Sequence, residues 1–293
     1  MARELGGKIA QITDRRFGRR WLAHHPRLPW RAPTLAEVAA PDAYVRLGDL
    51  GGWDEICPTI AATTYPLPPY AGRALPDHGE CWYQQPEETR DGAAIDHRWR
   101  GTTLPFELWR RFQIDPAQPR LTLDYTLRSL SDAPLALMWS AHPILSIEPG
   151  MRLEFPAGTP MIVASARSPL GTPGRRFEWP RCDRIDLSSV TPQAGWAVKL
   201  FSEPLSSSAV TLAAATGERL RLAWSAPGAP LLRLGMWLNY GGWSGDGGPP
   251  LRNIGLEPCI GMPDALDEAI AGGTALRLEP GEERRWRLEL DGR

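Results

Sequence analysis

Proton-transfer chemistry is most plausible around Glu257, in the stretch from Asn253 to Leu266, which reads N-I-G-L-E-P-C-I-G-M-P-D-A-L. Most of its neighbours are apolar, and such a setting raises the pKa of a carboxylic acid above its ordinary value of roughly 4.3. A carboxylate with a pKa nearer neutrality is suited to act as a general base. A single glutamate in a loop is more often an ion-pair partner, so both roles for Glu257 stay open at this point.

A second candidate is His142, in the stretch from Met138 to Gly150, M-W-S-A-H-P-I-L-S-I-E-P-G. Because proline cannot donate a hydrogen bond to a neighbouring strand, Pro143 is expected to end regular pairing. His142 is therefore predicted at a strand end, next to Trp139, facing a cleft. With an ordinary pKa of about 6.5, it can give or accept a proton near neutral pH.

A third candidate is His78, in the stretch from Leu75 to Trp82, L-P-D-H-G-E-C-W. Alternate residues of a strand share a face, so His78 and Glu80 resemble a fragment of a metal site. Nothing nearby completes a ligand set, which leaves a loop histidine bonded to Asp77 or Glu80 as the alternative. The histidines in polar, arginine-rich surroundings are predicted at the surface: His24, His25 and His97.

The composition excludes several classes of protein. The chain has 293 residues, with 33 Lys and Arg against 34 Asp and Glu; this balance disfavours nucleic-acid and membrane partners. No run approaches the roughly 18 apolar residues of a membrane span, and no segment has the features of a signal peptide. The cysteines form no CxxC pair and are too sparse for a disulfide scaffold: Cys57, Cys81, Cys182 and Cys259. A reducing, cytoplasmic location is expected.

The pattern of turns predicts an all-β protein. Thirty Pro and 29 Gly interrupt short β-type runs, and turn signals recur every 8–12 residues or so, as in sandwiches and barrels. The predicted strands are Phe106–Ile114, Arg120–Ser129, Leu135–Trp139, Arg152–Phe155, Met161–Val163, Trp196–Ser202, Ala209–Ala214, Arg219–Trp224, Leu231–Asn239, Ala275–Leu278 and Arg284–Leu290. No linker or repeat divides the chain, so residues 1–293 are expected to form one antiparallel β domain.

The remaining elements are few. Glu4 to Asp14 alternates apolar and polar residues and predicts an opening strand that turns at Arg15–Gly18 into a hairpin. A strand this close to Met1 leaves open a natural start further upstream. One helical turn is expected within Thr34–Ala40, and one helix over Pro263–Ala271, before Gly272 and Gly273.

Taken together, five motifs in this order resemble the aldose 1-epimerase (galactose mutarotase-like) family, and its less-characterised bacterial branch in particular. They are E-L-G-G-K-I-A-Q-I-T-D, G-G-W-D-E-I-C-P-T-I, L-P-D-H-G-E-C-W, W-S-A-H-P-I-L and N-I-G-L-E-P-C-I-G-M-P-D-A-L. The resemblance spans nearly the whole chain. It implies a β-supersandwich whose concave face binds a sugar, with no metal or organic cofactor, in a monomer or homodimer.

The resemblance also implies roles for the three candidates. A glutamate of this family takes the proton of the anomeric hydroxyl, a histidine donates a proton to the ring oxygen, and reclosure of the opened ring gives the other anomer. The matching positions are Glu257 for the base, His142 for the acid, and His78 for the earlier loop histidine. The residues expected to bind substrate are Asp54, Trp82, Trp139, Lys199, Asn239 and Trp243.

One departure from the family concerns an aspartate that commonly holds sugar hydroxyls, in a strand between the second histidine and the glutamate. The nearest match is Trp196 to Phe201, W-A-V-K-L-F, where Val198 stands in that place. Lys199 is either a substitute binding residue or a surface strand residue. Three alternatives therefore accompany the isomerase: a non-catalytic sugar-binding protein, an epimerase of phosphorylated or other non-standard sugars, and a metal-dependent enzyme using His78, Glu80 and His142.

Overall fold

The computed structural model describes residues 1–167, 169–227 and 231–293. The helices are α1 (Leu35–Val38) and α2 (Leu266–Ala271), with a 3-10 turn at Arg3–Leu5 and a π-helical turn at Tyr44–Gly48. The strands are β1 (Thr13–Asp14), β2 (Arg19–Arg20), β3 (Gly52–Ile56), β4 (Thr63–Thr64), β5 (Ala74–Leu75), β6 (Glu87–Asp91), β7 (Ala94–Arg100), β8 (Phe106–Ile114), β9 (Arg120–Ser129), β10 (Leu135–Leu137), β11 (Trp139–Ser146), β12 (Arg152–Glu154), β13 (Pro160–Arg167), β14 (Arg176–Glu178), β15 (Arg181–Cys182), β16 (Ile185–Asp186), β17 (Ala197–Ser202), β18 (Ser207–Ala213), β19 (Arg219–Ser225), β20 (Arg233–Tyr240), β21 (Arg252–Ile260), β22 (Leu276–Leu278) and β23 (Glu283–Gly292). In these ranges no helix is long and apolar enough to cross a membrane.

Two large antiparallel sheets make up the fold, and the all-β prediction is confirmed. The cleft sheet has nine strands in the order β16-β15-β14-β13-β17-β20-β21-β11-β3, and the back sheet has eight in the order β12-β18-β19-β23-β9-β8-β7-β6. The sheets pack face to face through aromatic rings: Trp139 of β11 lies 4.8 Å from Tyr125 of β9 and 4.6 Å from Trp286 of β23, measured between ring centroids.

The two sheets differ in how their outer faces are covered. In β8 and β9 buried and more exposed residues alternate, as expected of a sheet with one face on the core and one toward solvent. The central cleft-sheet strands β11, β17 and β21 are instead buried along almost their whole length. Residues of the 44–49 and 77–78 segments lie over this sheet and enclose a cavity there.

Most of the predicted strands occur with small shifts in their ends, and both predicted helical segments form. Thr34 caps α1 in a capping box with Glu37. The long opening strand is wrong, because Gly6 and Gly7 adopt left-handed backbone angles, φ 66° and 69°, that a strand does not use. Only its hairpin end forms, where Thr13–Asp14 pairs with Arg19–Arg20.

Two of the histidines predicted at the surface are buried instead, which corrects that prediction. His97 is held in the interior by a buried arginine, since its Nδ1 lies 2.7 Å from Arg110 Nη2, and its Nε2 lies 3.0 Å from Glu88 Oε2. Burial, and then the charge of Arg110, lower the pKa of His97 to about 4. His25 is buried where its Nδ1 accepts the backbone N–H groups of Arg27 and Leu28.

A buried ion pair joins the two sheets. Glu55 of β3 accepts hydrogen bonds from Arg110 of β8 and Tyr125 of β9 at Oε1, both at 2.9 Å, and from Trp139 at Oε2 at 3.0 Å. Burial raises the pKa of Glu55, and the positive charge of Arg110 opposes this shift. Removing one partner of such a pair leaves the other as an uncompensated buried charge.

We therefore expect Arg110→Met to lower the free energy of unfolding by about 3–5 kcal/mol. Arg111→Met on the same strand is the matched control: Arg111 is partly exposed and pairs with Asp91 and Asp96 at the surface, so its loss should cost less than about 1 kcal/mol. Denaturant unfolding of both variants measures the difference. Equal effects would show that Arg110 does not compensate Glu55.

Candidate active site

His142 and Glu257 face each other on two neighbouring strands of the cleft sheet. The ladder between β11 and β21 pairs Ser140 with Cys259, and this register brings His142, two residues on, opposite Glu257. His142 Nε2 lies 3.9 Å from Glu257 Oε1, and both side chains are buried. The strands therefore bring together the two residues that the sequence separates by more than a hundred positions.

The predicted strand end at His142 and the loop around Glu257 are both wrong, because both residues lie inside strands. The ladder between β11 and β21 is interrupted where residues 141–143 face 256–258. Each of these segments contains a proline, Pro143 or Pro258, which has no N–H to donate. β11 continues through Pro143 because it pairs there with Trp53 of β3 on its other side.

A cavity of about 290 Å³ lies over this pair, near the lower end of the range of roughly 300–1,000 Å³ typical of small-molecule sites. Five of the predicted site residues line it: His78, His142, Lys199, Trp243 and Glu257. Seven polar or aromatic residues that were not predicted also line it: Tyr44, Asp49, Asp77, Ser165, Trp237, Asn253 and Asp264.

The carboxylate of Glu257 has one paired oxygen and one free oxygen. Lys199 donates to Oε2, whereas Oε1 is buried and has no hydrogen-bond partner in the part of the chain that the structure describes. Gly255 makes room for Oε1, since a Cβ at that position would lie 2.5 Å from it. Burial raises the pKa of Glu257, and the ammonium of Lys199 opposes this shift. Burial acts against the charged form of Lys199, but Glu257 and then Asp264 together raise its pKa.

His142 is set up to be neutral when the site is empty. Burial lowers its pKa well below 6.5, and electrostatic interactions with His78, Lys199 and Lys8 lower it further. Its Nδ1 lies 3.1 Å from the hydroxyl of Tyr44. Its Nε2 is the ring nitrogen on the side of Glu257.

His78 is held in an unusual backbone conformation. Its φ of 57° lies in the left-handed region, which costs a residue other than glycine on the order of 1–3 kcal/mol and occurs most often at functional sites. Its N–H donates to the carbonyl of Ile60 at 2.7 Å, and its ring stacks on that of Tyr44 with centroids 3.6 Å apart. The centroid of the His142 ring lies 5.3 Å from that of His78. Both imidazoles therefore contact the same tyrosine.

Trp237 and Trp243 form an aromatic wall, with their rings edge to face and their centroids 5.6 Å apart. The prediction that Asn239 contacts the substrate is corrected, because Asn239 is fully buried and does not line the cavity. Its Oδ1 accepts the N–H groups of Gly242 and Trp243, and its Nδ2 donates to the carbonyl of Trp243. Asn239 therefore fixes the turn that carries Trp243.

Three other predicted substrate-binding residues also lie outside the cavity lining. Asp54 is buried beneath it, where it pairs with Lys8. Trp82 packs edge-on against Tyr44, with centroids 5.3 Å apart. Trp139 is buried between the sheets and donates to a core carboxylate. The prediction that these three residues bind the substrate is therefore corrected: the structure does not place them where they would contact a ligand in the cavity.

Signals for part of the missed lining were present in the sequence. Asn253 and Asp264 belong to the motif around Glu257. Trp237 shares a strand face with Asn239, two residues on. Tyr44 and Asp49 carry no comparable signal, because a π-helical turn places them and its sequence has no recognisable pattern.

The proposed metal fragment does not assemble. Both oxygens of Glu80 accept hydrogen bonds, Oε2 from Thr102 and Oε1 from Thr103, so Glu80 stabilises a loop. Across the described ranges, no three His, Cys, Asp or Glu side chains are grouped closely enough to hold a metal ion.

Comparison with known proteins identifies the fold. No protein-family profile matches the sequence, and no curated protein matches it. Among solved structures, the chain is similar to a galactose mutarotase related enzyme from Lactobacillus acidophilus, with a TM-score of 0.65, 14% identity, and coverage of 99% of this chain and 92% of that one. It is also similar to a galactose mutarotase-like protein from Clostridium acetobutylicum, with a TM-score of 0.67, 12% identity, and coverage of 99% and 90%. A galactose mutarotase-like protein from Lactobacillus casei gives a TM-score of 0.62, 14% identity, and coverage of 99% and 95%. At these identities the likeness establishes the fold alone, and the predicted supersandwich is confirmed.

Asp49 at the cavity leads to a prediction about stability. It also lines an adjoining cavity of about 280 Å³, and burial raises its pKa from 3.8 to about 6. The folded protein therefore holds this proton more tightly than the unfolded chain, so stability is lost as pH rises from about 4 to 6. Asp49→Asn removes this loss, so its stability relative to wild type should rise by about 2–3 kcal/mol between pH 4 and pH 7.

Denaturant unfolding at several pH values measures this difference. Asp42→Asn, which removes an exposed carboxylate from the same segment, controls for the loss of one negative charge. A stability difference between Asp49→Asn and wild type that stays constant with pH would contradict the assignment.

Proposed function

Since this chain has the fold of the galactose mutarotase-like proteins, we propose that it is a carbohydrate-active isomerase that interconverts sugar anomers. The observation that carries the proposal is the free oxygen of Glu257, buried and 3.9 Å from His142 Nε2 at the floor of a small cavity. A carboxylate and an imidazole with opposed pKa shifts form an acid–base pair.

The distance suits the reaction. In a cyclic sugar, the anomeric hydroxyl and the ring oxygen are bonded to the same carbon, so an acid and a base that act on them must lie close together. Glu257 Oε1 and His142 Nε2 are near enough for one anomeric centre to lie within hydrogen-bond reach of both. Two groups much further apart could not both reach these oxygens.

The reaction is balanced without a cofactor. Glu257 takes the proton of the anomeric hydroxyl while protonated His142 donates its Nε2 proton to the ring oxygen. The bond between the anomeric carbon and the ring oxygen breaks with its electron pair passing to that oxygen, and a carbonyl forms. After rotation of the carbonyl end, the reverse steps close the ring on the other face. Both residues then return to their starting protonation states.

The rest of the lining suits a polyol. Asn253 Oδ1 and Asp264 Oδ1 are buried and have no hydrogen-bond partner among the described residues, so they can accept hydrogen bonds from sugar hydroxyls. Trp237 and Trp243 offer aromatic surface to the apolar parts of a sugar ring. We assign His78 to holding a sugar oxygen, because its ring lines the cavity beside His142.

Lys199 is a difference between this site and the family pattern that the resemblance implies. It lines the cavity and pairs with Glu257, whereas its neighbour Val198 stands at the position of the aspartate that would accept hydrogen bonds from a sugar. A standard hexose is therefore not assumed as substrate. Phosphorylated and other non-standard sugars are included among the candidates for the same reason.

The test is a screen of freshly dissolved α-anomers, comprising neutral, deoxy and phosphorylated sugars, followed by polarimetry or NMR. Acceleration over a buffer-only control, which corrects for spontaneous mutarotation, supports the proposal and names the substrate. Binding without acceleration would favour a non-catalytic sugar-binding protein. Neither binding nor acceleration for any sugar would overturn the proposal.

On the substrate found, Glu257→Gln should lower turnover by about 100-fold or more, because it preserves the shape but removes the proton acceptor. His142→Asn should do the same by removing the donor, and the double variant should lose much less than the product of the two losses. His78→Asn should affect binding more than turnover. Kinetics with each folded variant measure these effects.

The control is Glu55→Gln, which removes a buried carboxylate from the other face of the cleft sheet. It should lower stability yet keep the turnover of the folded protein. Unfolding curves must accompany all five variants, since Glu257→Gln also leaves Lys199 without its partner. Near-normal turnover of folded Glu257→Gln would refute the mechanism.

The pKa shifts predict a narrow pH profile. His142 must be protonated to donate, and its lowered pKa places the alkaline limb of kcat/KM below pH 6.5. Glu257 must be ionised, and its raised pKa places the acid limb above pH 4.5. The maximum should therefore lie between these values. A plateau extending to pH 8 would show that His142 does not donate as an imidazolium.

A further inference from the structure

A buried hydrogen-bonded chain lies behind His142, on the side away from Glu257. Lys8 Nζ donates to Asp54 Oδ2 and to the carbonyl of Gly51. The hydroxyl oxygen of Tyr44 lies 3.1 Å from Asp54 Oδ2 and 3.1 Å from His142 Nδ1. The chain therefore runs from Lys8 through Asp54 and Tyr44 to one ring nitrogen of His142.

The direction of these hydrogen bonds follows from counting protons. Lys8 is 2% exposed, and a buried ammonium needs a counter-charge, which Asp54 supplies as a carboxylate. Burial raises the pKa of Asp54, but Lys8 and the hydroxyl of Tyr44 oppose that shift. An ionised carboxylate only accepts hydrogen bonds. Tyr44 must therefore donate its single proton to Asp54, and its oxygen is left to accept from His142 Nδ1–H.

The ring of Tyr44 is held in place from two sides. His78 stacks on its face with an angle of 8° between the ring planes, and Trp82 packs against it edge-on. Its hydroxyl is therefore not free to turn away from His142. The other groups near His142 are Glu257 on the neighbouring strand β21, Lys199 on β17 of the same sheet, and His78 in the loop above. Tyr44 is the hydrogen-bond partner that the structure gives to Nδ1.

We propose that Tyr44, oriented by the Lys8–Asp54 pair, is a positioning residue that fixes neutral His142 as the Nδ1–H tautomer. Nε2 is then the ring atom that gains and loses the proton on the side facing Glu257, because the hydrogen bond at one ring nitrogen decides which nitrogen is protonated. The tautomer itself does not depend on the reaction. Its use in proton transfer to a sugar ring rests on the proposed function.

The alternative arrangement is distinguishable. If Tyr44 donated to Nδ1, neutral His142 would carry its proton on Nε2, and the lone pairs of Tyr44 would face the carboxylate of Asp54. NMR of ¹⁵N-labelled histidine rings separates the two tautomers, at a pH above the titration of His142. The signals of His142 are assigned by their absence from His142→Asn. Wild-type protein should show protonated Nδ1 and unprotonated Nε2, and a protonated Nε2 would overturn the proposal.

Tyr44→Phe keeps the stacked ring but removes the hydroxyl. The Nδ1–H state should then give way to a mixture or to Nε2–H. Tyr125→Phe is the matched control, because it also removes a hydroxyl that donates to a buried carboxylate, Glu55, but has no contact with His142. The His142 signals should be unchanged in this control. An unchanged Nδ1–H tautomer in folded Tyr44→Phe would overturn the role of Tyr44.

The double variant Lys8→Met/Asp54→Asn tests the support behind Tyr44 if Tyr44→Phe does not fold. It removes both charges together, so neither is left unpaired, and the tautomer of His142 should become mixed. A pure Nδ1–H signal in this variant would show that the ion pair does not orient Tyr44. Thermal unfolding identifies variants that are not folded.

Measuring the turnover of Tyr44→Phe tests whether the tautomer of His142 matters for the proposed function. With a substrate from the screen, Tyr44→Phe should lower kcat by about 10- to 100-fold, the range found when a group that orients a ligating histidine is lost, with little change in KM. A normal kcat with an altered tautomer would separate Tyr44 from catalysis. If the screen finds no substrate, that result would count against the proposed function alone, because the NMR measurement of the tautomer does not depend on turnover.

Discussion

Two consecutive carboxylates on β3, Asp54 and Glu55, determine how this molecule holds together. Neighbouring residues of a strand point to opposite faces, so Asp54 lies on the cleft side and Glu55 lies between the sheets. Each is buried with its own cation, Lys8 for Asp54 and Arg110 for Glu55. Arg110 also donates to the carbonyl of Gly7, next to Lys8. The N-terminal segment is thus attached to both ion pairs, and through them to the cavity and the core.

The extent of burial explains which elements could be predicted from sequence. The predicted ends of Phe106–Ile114 and Arg120–Ser129 are correct, because one face of the back sheet is exposed to solvent and apolar and polar residues therefore alternate along these strands. β3 and β21 are buried on both faces, so their residues show no alternation and neither strand was recognised. β17 and β20 are also buried almost throughout, yet their apolar runs were recognised, so it is the charged residues and the proline within β3 and β21 that concealed those two strands.

The same reason separates the site residues that were found from those that were not. Motifs identified Glu257 and His142, but Pro143 concealed that His142 lies inside a strand. Had this been recognised, period-2 geometry would have excluded Trp139, which is three residues away and points to the opposite face. Tyr44 could not be predicted, because its position depends on a π-helical turn and on Asp54, which itself was expected to touch the ligand.

The two sides of the cavity share one design. Glu257 has two equivalent oxygens, and Lys199 binds Oε2, so Oε1 is the oxygen left facing His142. His142 has two ring nitrogens, and Tyr44 occupies Nδ1, so Nε2 is left facing Glu257. In each residue a buried polar partner binds one of two chemically similar atoms, so the other atom faces the cavity. Lys199 therefore keeps the carboxylate from rotating and opposes the protonation that burial favours.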